Sequence, residues 1–214
     1  MRVISGSAKG CGLKAPRRMK LRPTPSRVKE AIFSSLAKHI AGARVLELFA
    51  GTGAFSIEAL SRNAATAILV EKDRRATILI QGNLQKTHLE KHARILQLDV
   101  RQALDRLQKE REYFNLIFAD PPYQKKYPLP SLNLSTRSSN AHYSAPIFPW
   151  VPFLLRSASL CHLLAKDGVL LIEYFKKHTT IDSPYFRLIR EFRFGDTVVG
   201  VFLHRTQTNF GEDG

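Results

Sequence analysis

Only two cysteines occur in the 214 residues, Cys11 and Cys161, far apart and in no CxxC pair. Their scarcity excludes a disulfide framework and a cysteine-based zinc site, and it points to a reducing, cytoplasmic setting. The seven histidines are scattered along the chain, and no metal is expected. No apolar run approaches the roughly 20 residues needed to cross a bilayer. The opening MRVISGSAKG has neither the apolar centre of a signal peptide nor a myristoylation pattern, so no membrane role is expected. Acids are scarce as well: 18 Asp and Glu stand against 33 Lys and Arg, a formal net charge of +15. A surface of that sign attracts phosphate, and without a basic amphipathic helix to suggest lipid, nucleic acid is the expected partner.

What is present is enough apolar material, 44% of residues, for one sizeable core and therefore one catalytic domain, expected to act as a monomer. The positive charge is concentrated. Residues 1 to 29 carry nine Lys or Arg and no acid, and Pro121 to Lys166 also lacks Asp and Glu. Arg17, Arg18, Lys20, Arg22, Arg27 and Lys29 are the candidate phosphate-binding residues, with an affinity that falls steeply as salt rises. Residues 1–23, punctuated by Gly6, Gly10 and Gly12, read as a short β-hairpin appended to the core. Residues 24–205 read as the domain proper, and 206–214 as a frayed tail.

Within the domain, Thr24-Pro25-Ser26 starts a helix whose Val28, Ile32, Leu36 and Ile40 form one apolar stripe. Strand and helix then alternate: strands at 44–49, 67–71, 93–98 and 114–119, with helices at 54–62, 74–87 and 100–109 between them. Residues 124–149, rich in proline, serine and asparagine, are expected to form a long loop. A helix over 150–164, a strand over 168–174, and an antiparallel hairpin of 186–193 with 197–204 complete the pattern. The fold class is therefore α/β, a mostly parallel seven-stranded sheet with a C-terminal antiparallel hairpin and a short N-terminal hairpin extension.

Acids and glycines fall at the strand ends. Glu47 precedes a loop of Phe49, Gly51 and Gly53 that runs directly into a helix. Glycines there admit backbone close to a ligand, and with no third glycine the loop is unlike a dinucleotide fingerprint. A strand-ending acid with GxG suits S-adenosylmethionine, whose sulfonium and ammonium groups are cationic. Glu71 can accept both hydroxyls of a ribose, a property that fits S-adenosylmethionine and NAD equally. Asp99 is either a helix N-cap or an acceptor for adenine's amine, or both. Asp120-Pro121-Pro122-Tyr123 ends the fourth strand. Two prolines remove the N–H donors from that turn, so the Asp120 carboxylate and the Pro121 carbonyl can both accept from one amine and turn its lone pair toward a methyl donor. Tyr123 can stack on the base. These residues point to in-line methyl transfer to an exocyclic base amine, on a base that is unpaired or extruded. The N–H proton passes to Asp120 or to water.

With RVISG at Arg2 to Gly6, LRPT at Leu21 to Thr24, SRVKE at Ser26 to Glu30, LELFAGTG at Leu46 to Gly53, EALSR at Glu58 to Arg62, and DPPY, the chain resembles the bacterial 16S ribosomal RNA guanine-N2 methyltransferases of the RsmD type. The likeness runs from Arg2 to about Arg205. It implies a Rossmann-like class I methyltransferase fold with S-adenosylmethionine as donor. The substrate it implies is guanine N2 in small-subunit rRNA, either naked or in a partly assembled 30S subunit. Gly51, Gly53, Glu71 and Asp99 would then line the cofactor, and Asp120 to Tyr123 would hold the guanine. Ser7 and Cys11 stand where the family usually has glycine and arginine, and the segment after Tyr123 is about 20 residues longer than the family's loop. Two other readings stay open on the residues alone: an adenine-N6 methyltransferase, since DPPY is shared with that class, and a non-catalytic rRNA-binding assembly factor.

Overall fold

The aliphatic runs that alternate with helices form a seven-stranded sheet of order β3-β2-β1-β4-β5-β7-β6. The computed structural model describes residues 1–15, 26–122, 150–176 and 182–206, with the side chains of Ser26 and Arg27 outside that set. Its strands are β1 (Arg44–Leu48), β2 (Thr66–Val70), β3 (Ala93–Leu96), β4 (Phe114–Ala119), β5 (Leu164–Phe175), β6 (Phe186–Phe194) and β7 (Thr197–His204). The helices are α1 (Ser26–Ser35), α2 (Ala54–Ser61), α3 (Arg74–Thr87), α4 (Val100–Lys109), α5 (Trp150–Leu155) and α6 (Ala158–Leu163). The pairings from β3 through β5 are parallel, and β7 pairs antiparallel with both β5 and β6.

Side chains alternate across the sheet, as the two-residue period of a strand requires. Val45, Leu116, Phe118, Val169 and Leu171 face a core with Phe33, Phe55, Ile57 and Ile80 of α1 to α3. Leu46, Leu48, Ile117, Leu170 and Ile172 face a second core with Val100, Leu104, Leu107 and Leu160. Strand order reverses direction between β1 and β4, so a crevice opens beyond their carboxyl ends, the usual ligand site in such sheets.

The N-terminal segment differs from the expected appendage. Residues 1–15 form turns closed by a single antiparallel bridge, Arg2 to Gly12, rather than two strands. Val3, Ala8 and Leu13 are buried in the same core as α1 to α3. Ile4 and Ser5 donate their amides to Glu58 at 2.8 and 3.0 Å, and Lys14 donates to Asn83 at 2.8 Å. Gly6 has φ +83°, and a Cβ there would stand 1.6 Å from the Ser61 carbonyl oxygen, so only glycine lets the segment lie this close to α2. The helix expected over 150–164 is two short helices: Ser157 ends the first and caps the second by accepting from the Leu160 amide.

Candidate active site

The turn that leaves β1 is held in a conformation L-residues seldom adopt. Phe49, Gly51 and Gly53 have φ of 59°, 55° and 71°. For a bulky residue such as Phe49 this left-handed backbone stores on the order of 1–3 kcal/mol, which the surroundings must hold in place. The Phe49 ring meets Trp150 edge-on, with centroids 4.8 Å apart. The Gly51 amide donates to Glu71 at 3.0 Å, and the other Glu71 oxygen accepts from the Asp73 amide at 2.9 Å. Glu47 accepts from the backbone amides of Phe55 and Ser56 at 3.3 and 2.9 Å. It thereby supplies the cap that Gly53, as N-cap residue, has no side chain to give α2.

Around this turn lies a cavity of about 420 Å³, within the range of small-molecule sites. Glu47, Phe49, Gly51, Glu71 and Asp99 line it from the β1, β2 and β3 ends. Asp120 and Pro122 line it from the β4 end. The strand-end residues singled out in the sequence therefore converge on one space, and Leu98, Val100 and Phe118 give it apolar walls. Asp99 also caps α4, accepting from the Arg101 amide at 3.0 Å, and it pairs with the Arg101 guanidinium at 2.9 Å.

Three acids share the deep end. Glu47 on β1, Asp120 just beyond β4 and Glu173 on β5 all line the cavity. Glu47 and Glu173 are each only 4% exposed. Burial pushes Glu47 up to about 7, against the pull of the Phe55 and Ser56 amides and Lys29. Burial also raises Asp120 well above the usual carboxylate range, and the neighbouring Glu173 and Glu47 charges add to the effect. Such an arrangement calls for a cation or a set of hydrogen-bond donors. Lys29 also lines the cavity, but its ammonium is held by the buried Glu58 at 3.0 Å.

Several sequence-derived assignments fall elsewhere. Gly53 is not among the cavity-lining residues. Its positive φ caps α2, and a Cβ there would come within 2.9 Å of the Leu69 side chain, so backbone conformation and packing both favour glycine. Pro121 is buried beside the cavity rather than lining it. Lys29 is an internal ion-pair partner, donating also to the Arg2 carbonyl at 3.2 Å, and not a solvent-facing phosphate ligand. Tyr123, Arg17, Arg18, Lys20, Arg22 and the Arg27 side chain lie outside the described residues, as does the expected loop at 124–149. Glu173, Trp150 and Arg2 line the cavity without having been singled out in the sequence. Glu173 sits in the middle of an apolar strand run, and no motif spacing marks it.

Among the described residues no group of three or more His, Cys, Asp or Glu is placed to hold a metal ion. His88 and His92 are four positions apart, but His88 is the left-handed C-cap of α3, so the two do not share a helical face. No described helix is long and apolar enough to cross a membrane.

The family described as conserved hypothetical protein 95 matches residues 1–139. The Bacillus subtilis protein named "Putative rRNA methyltransferase YlbH" is 44% identical over 126 residues, covering 59% of this chain and 68% of that protein. Ribosomal RNA small subunit methyltransferase D of Escherichia coli K12 is 37% identical over 134 residues, 63% of this chain and 66% of that protein. The aligned segment thus spans about two thirds of each relative's length. The solved structure titled "Putative methyltransferase yhhF from Escherichia coli" superposes with a TM-score of 0.72 at 28% identity. That superposition covers 97% of this chain and 99% of the other.

Proposed function

This chain belongs to the conserved hypothetical protein 95 family, and on that premise we propose that it transfers a methyl group from S-adenosylmethionine to the exocyclic N2 amine of a guanine in small-subunit ribosomal RNA. The observation that carries this reading is the shared cavity, in which a nucleoside-sized space bounded by Phe49, Gly51, Glu71 and Asp99 opens onto Asp120 and Pro122. The donor set fits S-adenosylmethionine. Glu71, already fixed by two backbone amides, is the acid that would accept from the ribose hydroxyls. Asp99, in the cavity wall beside the apolar Leu98 and Val100, would accept from the adenine amine. The buried Glu47, Asp120 and Glu173 offer negative charge to a cationic donor.

When bound, S-adenosylmethionine supplies the methyl group: the amine lone pair forms the C–N bond while the C–S bond breaks with its electrons kept by sulfur. Asp120, which lines the cavity, would accept an N2–H and aim the lone pair at the methyl carbon. Burial gives Asp120 a high proton affinity, and this suits it to take the N2 proton as the new bond forms. Pro122 contributes no N–H that would compete for the amine's acceptors. By its likeness in sequence to the family, Tyr123 would stack on the base. Arg2, at the cavity rim, and the basic stretch that follows it guide the RNA phosphates. The protein acts as a monomer in the cytoplasm, on rRNA or a partly assembled 30S subunit.

Labelled S-adenosylmethionine and small-subunit rRNA test this directly. Wild-type protein yields N2-methylguanosine on nucleoside digestion. Asp120→Ala loses transfer by at least about 100-fold while calorimetry still shows S-adenosylmethionine binding. Label in N6-methyladenosine, or full activity in Asp120→Ala, refutes the assignment.

A further inference from the structure

The Asp-Pro-Pro turn takes an exocyclic amine of any base, so it cannot by itself tell guanine from adenine. Resting on the guanine-N2 reading above, we propose that Glu173 selects guanine over adenine by accepting the base's N1–H while Asp120 accepts a hydrogen of the adjacent amine.

The geometry follows from strand register. β4 and β5 run parallel with Ala119 opposite Ile172, and Asp120 and Glu173 are the next residues on each side of that pair. Neighbouring strands lie about 4.8 Å apart, and alternation sends both side chains to the face of the sheet that carries Phe118 and Leu171. Both line the cavity. Their proximity is also felt electrostatically, since the Glu173 charge raises the proton affinity of Asp120.

Guanine meets this pair with two adjacent donors, N1–H and N2–H, one for each carboxyl. Adenine meets it with one donor, N6–H, beside a bare N1 lone pair. A buried carboxylate facing that lone pair is repelled, which penalises adenine beyond the mere absence of a bond. Hydrogen bonds to charged groups contribute about 1.5–3 kcal/mol, and a site built around a donor rejects analogues that lack it strongly. The guanine edge also supplies hydrogen-bond donors to two carboxyls whose charges oppose each other.

A base that keeps the 2-amine but lacks N1–H isolates the effect, and 2-aminopurine is that base. Once wild-type protein has located its target guanosine, small-subunit rRNA is assembled by ligation with 2-aminopurine riboside at that position. Wild type should methylate it with kcat/KM roughly 100-fold below guanosine. Glu173→Gln, whose amide can donate to a bare N1, should lose guanosine activity by a similar factor yet bring the two substrates within about tenfold of each other. Calorimetry with S-adenosylmethionine confirms that the variant keeps a folded donor site. Equal rejection of 2-aminopurine by wild type and Glu173→Gln, or wild-type indifference to the substitution, overturns the proposal and leaves N2 methylation standing. Methylation of adenine by wild type instead overturns the function itself.

Discussion

Glu58, wholly buried in α2, holds the Lys29 ammonium of α1 at 3.0 Å. The same carboxylate accepts from the amides of Ile4 and Ser5 and from Arg62 at 2.9 Å, so one side chain ties the N-terminal segment to two helices. Burial alone would raise its pKa, but the Ile4 amide, Lys29 and Arg62 together hold it below the usual glutamate value. The stability it contributes is therefore present above that value and is lost as pH falls through the depressed one. Glu58→Gln leaves Lys29 without its counter-charge and should cost about 3–5 kcal/mol, read from denaturant melts. Hydrogen exchange at Ile4 and Ser5 should speed up in step. Unchanged protection at those two amides would show that the segment is held by other contacts.

Glu47 runs the other way. Its carboxyl is raised to about 7 by burial, so the folded protein binds that proton more tightly than the unfolded chain does. The stabilising contribution is complete below the unfolded value, near 4.5, and is lost as pH climbs toward 7. Glu47→Gln removes the titration. Whatever fixed penalty the amide carries, the stability gap between variant and wild type, measured without ligand, should move in the variant's favour between pH 5 and pH 8. The upper bound on that movement is on the order of 3 kcal/mol. A gap independent of pH contradicts the burial argument.

Much of this was legible in the sequence, and the parts that were not share a cause. The strands and α3 and α4 follow from local period, and the strand-end acids from their position beside glycines and prolines. Glu173 is silent because its significance depends on β5 lying next to β4, which is decided by sheet order rather than by its neighbours in the chain. Lys29 reads as a surface cation because its partner is 29 positions away on another helix. Val3, Ala8 and Leu13, five residues apart, match neither the strand nor the helix period, so the burial of the N-terminal segment leaves no periodic trace. Gly53 looked like part of a ligand loop because a glycine needed for packing and one needed for ligand approach are the same letter.

That distinction is measurable at Gly53 itself. Its φ of 71° costs an L-residue about 1–2 kcal/mol, and the added methyl would press on Leu69 at 2.9 Å and Ile80 at 3.2 Å. Gly53→Ala should lower stability by about 1–3 kcal/mol in urea melts. Because Gly53 does not line the cavity, S-adenosylmethionine affinity at temperatures where the variant is fully folded should stay within about tenfold of wild type. A variant that is stable yet does not bind the donor would return Gly53 to the ligand loop.

The acid cluster makes a last prediction about the donor. Burial beside Glu173 and Glu47 raises the proton affinity of Asp120, and Glu47, raised to about 7, is half-protonated near neutrality. A sulfonium brought into that space favours the charged carboxylates, so binding S-adenosylmethionine at pH 7 should drive protons off the protein. S-adenosylhomocysteine has the same adenosine and amino acid but a neutral sulfur, and it should release fewer. Calorimetric titrations in buffers of different ionisation enthalpy count those protons. The sign carries over to affinity: preference for S-adenosylmethionine over S-adenosylhomocysteine should rise with pH as the acids ionise, and Glu173→Gln should flatten that rise by removing one of the interacting charges. Equal proton release for the two ligands would place the sulfur away from the cluster, leaving the three acids to the base alone.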